Sequence, residues 1–131
     1  MRQPDHRVVV IDDDPHHLDM LVTVLERAGI RGTGFTDPHA ALDHLIGHCA
    51  ALAVVDLRMP GLDGLELVRR LHISQPGLPL IGISGATDAS PDLDLMRESG
   101  ATTVLRKPLT PGRFVTTIKD ALRLAAQRGV S

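Results

Sequence analysis

The sequence predicts an α/β domain with a doubly wound, five-stranded parallel sheet covered by helices on both faces. Three observations predict it. Short continuous apolar runs recur, as in strands buried on both faces. Between them lie segments whose apolar residues repeat at helical spacing. Acidic, hydroxyl and lysine residues fall where the apolar runs end. Right-handed crossovers then place the functional crevice at the carboxyl ends of the strands.

The first run is Val8-Val9-Val10-Ile11, ended by Asp12-Asp13-Asp14-Pro15. Pro15 suits a first helical position with an acidic cap before it. Leu18, Leu21, Val22 and Leu25 follow at helical spacing, and Gly29 reads as the stop. Ile30 to Phe35 reads as a weaker strand, broken by Gly32 and Gly34. Thr36-Asp37-Pro38 opens a second helix carrying Ala41, Leu42, Leu45 and Ile46. Ala51 to Leu57 reads as a central strand, and Met59-Pro60-Gly61-Leu62-Asp63-Gly64 as loop and helix-cap chemistry. A third helix runs from about Leu65 towards Gln75-Pro76-Gly77. Leu78 to Ser84 is a fourth strand, followed by a polar stretch from Gly85 to Pro91 and a short helix around Leu93 to Glu98. Gly100 to Leu105 gives the last strand and Pro111 to Gln127 the last helix. The five strand–helix units form one domain over 1–131, with a core over about 7–125.

Composition narrows the function. The chain has 131 residues, 43% of them hydrophobic and 23% charged, which describes one ordinary globular domain. A net charge of −2 lacks the basic excess of a nucleic-acid binder. Trp and Tyr are absent and Phe occurs twice, which disfavours base-stacking platforms. The single Cys49 cannot close an internal disulfide. No apolar run approaches the roughly 18 residues of a membrane helix. The N-terminus leads into only the short stretch Val8 to Ile11, so the expected location is cytoplasmic.

The strand ends carry the chemistry. Asp12 and Asp13 end the first strand, Asp56 lies near the end of the third, Ser84 ends the fourth, and Lys107 ends the fifth. Carboxylates crowded into one crevice repel each other, and a hard divalent cation relieves the repulsion. Mg²⁺ takes oxygen ligands, keeps several waters, and binds through one or two carboxylates plus phosphate. Asp12, Asp13 and Asp56 offer such a partial cage. Lys107 adds a fixed positive charge and Ser84 a hydroxyl donor. Positioning and charge neutralisation are most of what phosphoryl transfer demands, and an aspartate can itself become an aspartyl phosphate.

At these residues the chain resembles a known family, the receiver domains of bacterial two-component response regulators. The resemblance spans roughly Arg7 to Ala125. It rests on Val9-Val10-Ile11-Asp12-Asp13-Asp14-Pro15, on Val54-Val55-Asp56-Leu57-Arg58-Met59-Pro60-Gly61-Leu62-Asp63-Gly64, on Ile81-Gly82-Ile83-Ser84-Gly85 and on Leu105-Arg106-Lys107-Pro108-Leu109-Thr110. It implies a flavodoxin-like (βα)₅ fold with strand order 2-1-3-4-5. It implies that Asp56 accepts a phosphoryl group from a sensor histidine kinase or phosphotransfer protein. Asp13 would ligate Mg²⁺ directly, Asp12 largely through water, and the main-chain carbonyl of Arg58 would be a further ligand. Lys107 would bridge to the acyl phosphate, Ser84 would hydrogen-bond a phosphoryl oxygen, and the Lys107–Pro108 peptide would be cis. The protein would not be a turnover enzyme. Its output would pass to a downstream protein target or along a relay, since no effector segment follows Gln127. Direct nucleic-acid or membrane contact is not expected. The helix after Ser84 and the last helix offer a partner face, or a phosphorylation-dependent dimer face.

The chain also departs from the family pattern. Val104 stands where many members carry the Tyr or Phe of an inward-turning switch, and valine is stiff at χ1. Signal is therefore expected through the Ser84-Gly85-Ala86 loop and the helix after it. Arg58 and Ala86 occupy positions that tune phosphoryl lifetime in the family, and wild type should lose its phosphoryl group more slowly than an Arg58→Asn variant. Asp14 reads as a helix cap, His16 and His17 as first-turn surface or groove residues, His44 and His48 as a solvated helix face, and Cys49 as a packed or idle thiol. Two other functions stay open. A non-phosphorylated pseudo-receiver would bind partners without the chemistry. An aspartyl phosphohydrolase would use Asp12-x-Asp14 as its nucleophile motif, and its turnover would depend on Asp12 rather than Asp56.

Overall fold

A computed structural model describes residues 7–57, 64–85, 98 and 100–129. Its elements are β1 (Val8–Ile11), α1 (Pro15–Arg27), β2 (Gly32–Phe35), α2 (Pro38–Gly47), β3 (Leu52–Asp56), α3 (Gly64–Ser74), β4 (Leu80–Ser84), β5 (Thr103–Arg106) and α4 (Pro111–Gly129). The strands form one sheet in the order β2-β1-β3-β4-β5, and every described pairing is parallel. The short helix expected around Leu93 to Glu98 lies outside the described residues, apart from helical Glu98.

Alternation along the strands builds two cores. Val9, Ile11, Ala53, Val55 and Leu80 face Ala41 and Leu45 of α2 and Leu67, Val68 and Leu71 of α3. Val8, Val10, Leu52, Val54, Ile81 and Ile83 face Leu18, Leu21 and Leu25 of α1 and Phe114, Ile118 and Ala121 of α4. Successive side chains of a strand point to opposite faces, so a strand covered on both must be apolar throughout. In β1, β3 and β4, where every residue is buried, polar residues stand only at the carboxyl ends.

Local chemistry sets those ends. Asp14 caps α1, its carboxylate accepting from the His16 N–H at 3.0 Å, with Pro15 at the first helical position. The helix stops as Gly29 takes a φ of 81°, and the Ile30 N–H donates to the Leu25 carbonyl at 2.9 Å. Asp37 and Pro38 start α2 in the same way.

Three strands differ from the sequence reading by more than one residue. β2 begins at Gly32 rather than Ile30, and its glycines do not break it. A Cβ at Gly34 would lie 2.9 Å from Leu18 Cδ1, so the missing side chain is what lets α1 lie close over this edge strand. β4 begins at Leu80 rather than Leu78 because Pro79 has no N–H to give the ladder. β5 begins at Thr103 rather than Gly100, whose φ of 122° belongs to a turn. The Lys107–Pro108 peptide is cis, as expected.

Candidate functional site

Asp56 is the last residue of β3 and Ser84 the last of β4. Asp12 directly follows β1 and Lys107 directly follows β5. The register holds them at one edge: Asp56 pairs with Ile83, Ser84 pairs with Arg106, and the Lys107 N–H donates to the Ser84 carbonyl at 2.8 Å. Four residues scattered along the chain thus share one crevice.

Its polar groups are withdrawn from water. Asp12 is 1% exposed, Asp56 3% and Ser84 0%. Lys107 Nζ donates to Asp56 Oδ2 at 3.2 Å while its own side chain stays about a third exposed. Ser84 Oγ donates to the Gly85 carbonyl at 3.3 Å. Asp12 Oδ1 accepts the Asp14 N–H at 3.0 Å, and Asp12 Oδ2 meets His17 Nδ1. Burial, foremost, raises the Asp12 pKa above the ordinary carboxylate value, and the Asp56 charge adds to the rise. The Asp14 N–H and His17 oppose it.

Gly64 opens α3 against this site. A Cβ there would lie 2.7 Å from Leu57 Cα and closer still to the Asp56 carbonyl oxygen. Only glycine lets the helix start so close to the strand end that carries Asp56.

Most of the expected residues converge. Asp12, Asp56, Ser84 and Lys107 share the crevice. Asp13 is half-buried beside it, outside the cluster of ligand atoms formed by Asp12, His17 and Asp56. Arg58, Asp63 and Ala86 lie outside the described residues. His17 is the residue whose place the sequence reading left undecided between surface and groove. With Asp14 and Pro15 fixing the helix start, its side chain leans back towards the N-terminus, as helical side chains do, and reaches the strand end. His44 of α2 and His48, the residue that caps its C-terminus, stack at 4.2 Å, with His48 Nδ1 on the His44 carbonyl, and belong to no potential metal cluster among the described residues. Cys49 is exposed.

A parallel sheet in the order 2-1-3-4-5 with buried acids and a lysine at its carboxyl edge defines a flavodoxin-like doubly wound domain with its site at the strand ends. The response regulator receiver domain model matches residues 8–119, and the chain belongs to that family. Among curated proteins it is 38% identical over 118 residues to the transcriptional regulatory protein FixJ of Bradyrhizobium diazoefficiens, covering 90% of this chain and 57% of FixJ. It is 35% identical over 116 residues to the phosphoglycerate transport system transcriptional regulatory protein PgtA of Salmonella typhimurium, covering 88% of this chain and 28% of PgtA. The chain thus spans less than two thirds of either relative. Among solved structures, the Francisella response regulator 1452 receiver domain matches with a TM-score of 0.84 at 27% identity, covering 92% of this chain and 98% of that one. A CheY-like receiver domain protein from Methanospirillum hungatei shares the fold with a TM-score of 0.89 at 24% identity, covering 96% and 99%. No described helix is long and apolar enough to cross a membrane.

Proposed function

We propose that this receiver takes a phosphoryl group on Asp56 from a histidine kinase or phosphotransfer protein, in a reaction that depends on Mg²⁺. The observation that carries the reading is the ion pair of Lys107 Nζ with buried Asp56 Oδ2, 3.2 Å apart, beside the second buried carboxylate, Asp12. An oxygen of Asp56 forms the new O–P bond as the P–N bond of the donor phosphohistidine breaks, its electron pair leaving on the imidazole nitrogen. Lys107, paired with Asp56 before transfer, afterwards neutralises a phosphoryl oxygen. Ser84 Oγ turns from the Gly85 carbonyl to a phosphoryl oxygen.

The buried, closely spaced carboxylates of Asp12 and Asp56, with His17 beside them, fit a divalent cation. Asp12, Asp13, Asp56 and the Arg58 main-chain carbonyl would hold Mg²⁺. When bound, the ion neutralises charge on the phosphoryl oxygens. Val104, paired with Gly82 and packed half-buried on the α2–α3 side, has no ring to turn inward. Output then runs from Ser84 and Gly85 into the segment that follows, and reaches a downstream protein or a second copy. The protein is a relay component rather than a turnover enzyme.

Intact-mass spectrometry after incubation with acetyl phosphate tests this reading. One phosphoryl group should appear on wild type with Mg²⁺ present, and none without Mg²⁺ or on Asp56→Asn. Mg²⁺ that fails to bind, together with no adduct from either acetyl phosphate or a kinase, overturns the reading in favour of a pseudo-receiver.

A further inference from the structure

We propose that His17 is a nitrogen ligand of the divalent cation in this crevice, so that the site favours first-row transition-metal ions over Mg²⁺. The inference rests on the metal-dependent reading above and adds to it a ligand and a preference.

One ligand atom each from Asp12, His17 and Asp56 lies within 4.8 Å of the others. Donors about 2.0–2.2 Å from one ion sit about 3 Å apart when adjacent and about 4 Å when opposite, so side-chain shifts of about half an ångström bring the three into a single coordination sphere. His17 Nδ1 faces Asp12 Oδ2 directly. Two such atoms come together only with a proton or a cation between them. Without metal, Nδ1–H donates to the carboxylate. With metal, the ring carries its proton on Nε2, and Nδ1 and Oδ2 both turn their lone pairs on the ion. Burial fits the role, since the His17 side chain is 18% exposed and the Asp12 side chain 1%. Neighbouring His16 is exposed and gives the site nothing but a backbone N–H to the Asp14 cap.

The chemistry follows from the donor type. Mg²⁺ takes oxygen and keeps its waters, so an imidazole gains it little. Imidazole suits iron, nickel, copper and zinc, and affinity for a mixed nitrogen and oxygen site rises from Mn²⁺ through Co²⁺ to Ni²⁺. Two carboxylates and one imidazole therefore make a different site from an all-oxygen cage of the same charge.

The test uses the full chain with Mn²⁺, Co²⁺ and Mg²⁺ as probes. Pulsed electron paramagnetic resonance of the Mn²⁺ complex should show coupling to an imidazole nitrogen. The coupling should vanish in His17→Gln and His17→Asn, and persist in His44→Gln/His48→Gln, which removes the stacked pair at the C-terminal end of α2. Calorimetry should show His17→Gln losing at least about tenfold in Co²⁺ affinity while Mg²⁺ affinity changes by less than about threefold. Mn²⁺ binding that needs Asp56 but shows no nitrogen coupling, or coupling that survives in both His17 variants, overturns the role of His17 and leaves the phosphoacceptor site standing. Mn²⁺ binding untouched by Asp56→Asn overturns the site itself.

Discussion

The same substitution, glycine to alanine, should have opposite effects at two helix starts of this protein. At Gly64 the added Cβ would sit 2.7 Å from Leu57 Cα. Carbon atoms rest at about 3.5–4.0 Å, so helix α3 or the Asp56–Leu57 backbone must give way by about 1 Å. The obstacle is backbone rather than the tip of a flexible side chain, and overpacking of that kind costs about 1–3 kcal/mol. For a domain of this size the loss lowers the melting temperature by roughly 3–15 °C. The function should suffer more than the fold. A displacement of about 1 Å at a reacting group costs on the order of 100-fold in rate, and the backbone that the Cβ presses on is that of Asp56 and Leu57. At Gly112, the second residue of α4, a Cβ meets nothing within 4 Å. There the alanine only restricts the unfolded chain and should stabilise by about 0.4–1 kcal/mol. Thermal unfolding by circular dichroism gives the first quantity, and the initial rate of phosphoryl uptake by intact mass gives the second. A Gly64→Ala protein that melts within a degree of wild type and takes up phosphate within twofold of it would refute the reasoning, because the clearance would then not constrain the site.

Two further outcomes follow from the charges of the crevice. Lys107→Met leaves Asp56 and Asp12 buried together without the ammonium, and should cost about 1–2 kcal/mol in urea unfolding, less than a fully buried pair would because Lys107 is a third exposed. It should also slow phosphoryl uptake at least tenfold, while Lys119→Met on α4 should change neither. The second outcome concerns pH. The Asp12 pKa in the folded chain is raised above the ordinary 3.8, so the folded state binds the proton more tightly than the unfolded one. The stability this contributes is full below pH 3.8 and is lost as pH rises through the folded value. Metal-free wild type should therefore weaken relative to Asp12→Asn as pH rises into the neutral range, read as the difference of their urea midpoints. A difference that stays flat or runs the other way would show that His17 and the Asp14 N–H outweigh burial.

How much of this was legible in the sequence depended on the kind of constraint. Continuous apolar runs fixed β1 and β3 almost to the residue, because burial on both faces leaves no polar position inside them. The two Asp-Pro starts located α1 and α2, because cap and fixed φ act within three residues. β2 was harder. Gly32 and Gly34 read as strand breakers, yet Gly34 is demanded by Leu18, a residue on a different element. The starts of β4 and β5 were misplaced where Pro79 and Gly100 govern backbone pairing rather than apolar pattern. The strand-end residues Asp12, Asp56, Ser84 and Lys107 were visible because the sheet edge is the one place a polar residue can stand between two dry faces. His17 was visible only as a residue of the first helical turn. Its reach into the crevice depends on the lean of a helical side chain, which spacing alone does not display.

The charges also give the proposed cation site a test that is independent of phosphoryl transfer. One carboxylate and one lysine make a balanced pair, and Lys107 with Asp56 would suffice as one. Asp12 adds a second buried carboxylate to the same crevice, met by a backbone N–H and an imidazole. Those partners do not offset its burial, since its pKa remains raised. Ionised Asp12 therefore weakens the folded chain at neutral pH, and on the proposed reading a bound cation would relieve that cost. Binding then adds stability by mass action, about 2.7 kcal/mol at a hundredfold excess over the dissociation constant. A domain that served only as an interaction surface would gain nothing from Asp12 in that place, and asparagine there would serve its fold better. That comparison, wild type against Asp12→Asn with and without a divalent cation, separates a phosphoacceptor from a pseudo-receiver by stability alone. A cation that stabilises wild type and leaves Asp12→Asn unmoved favours the phosphoacceptor; one that moves neither favours the surface.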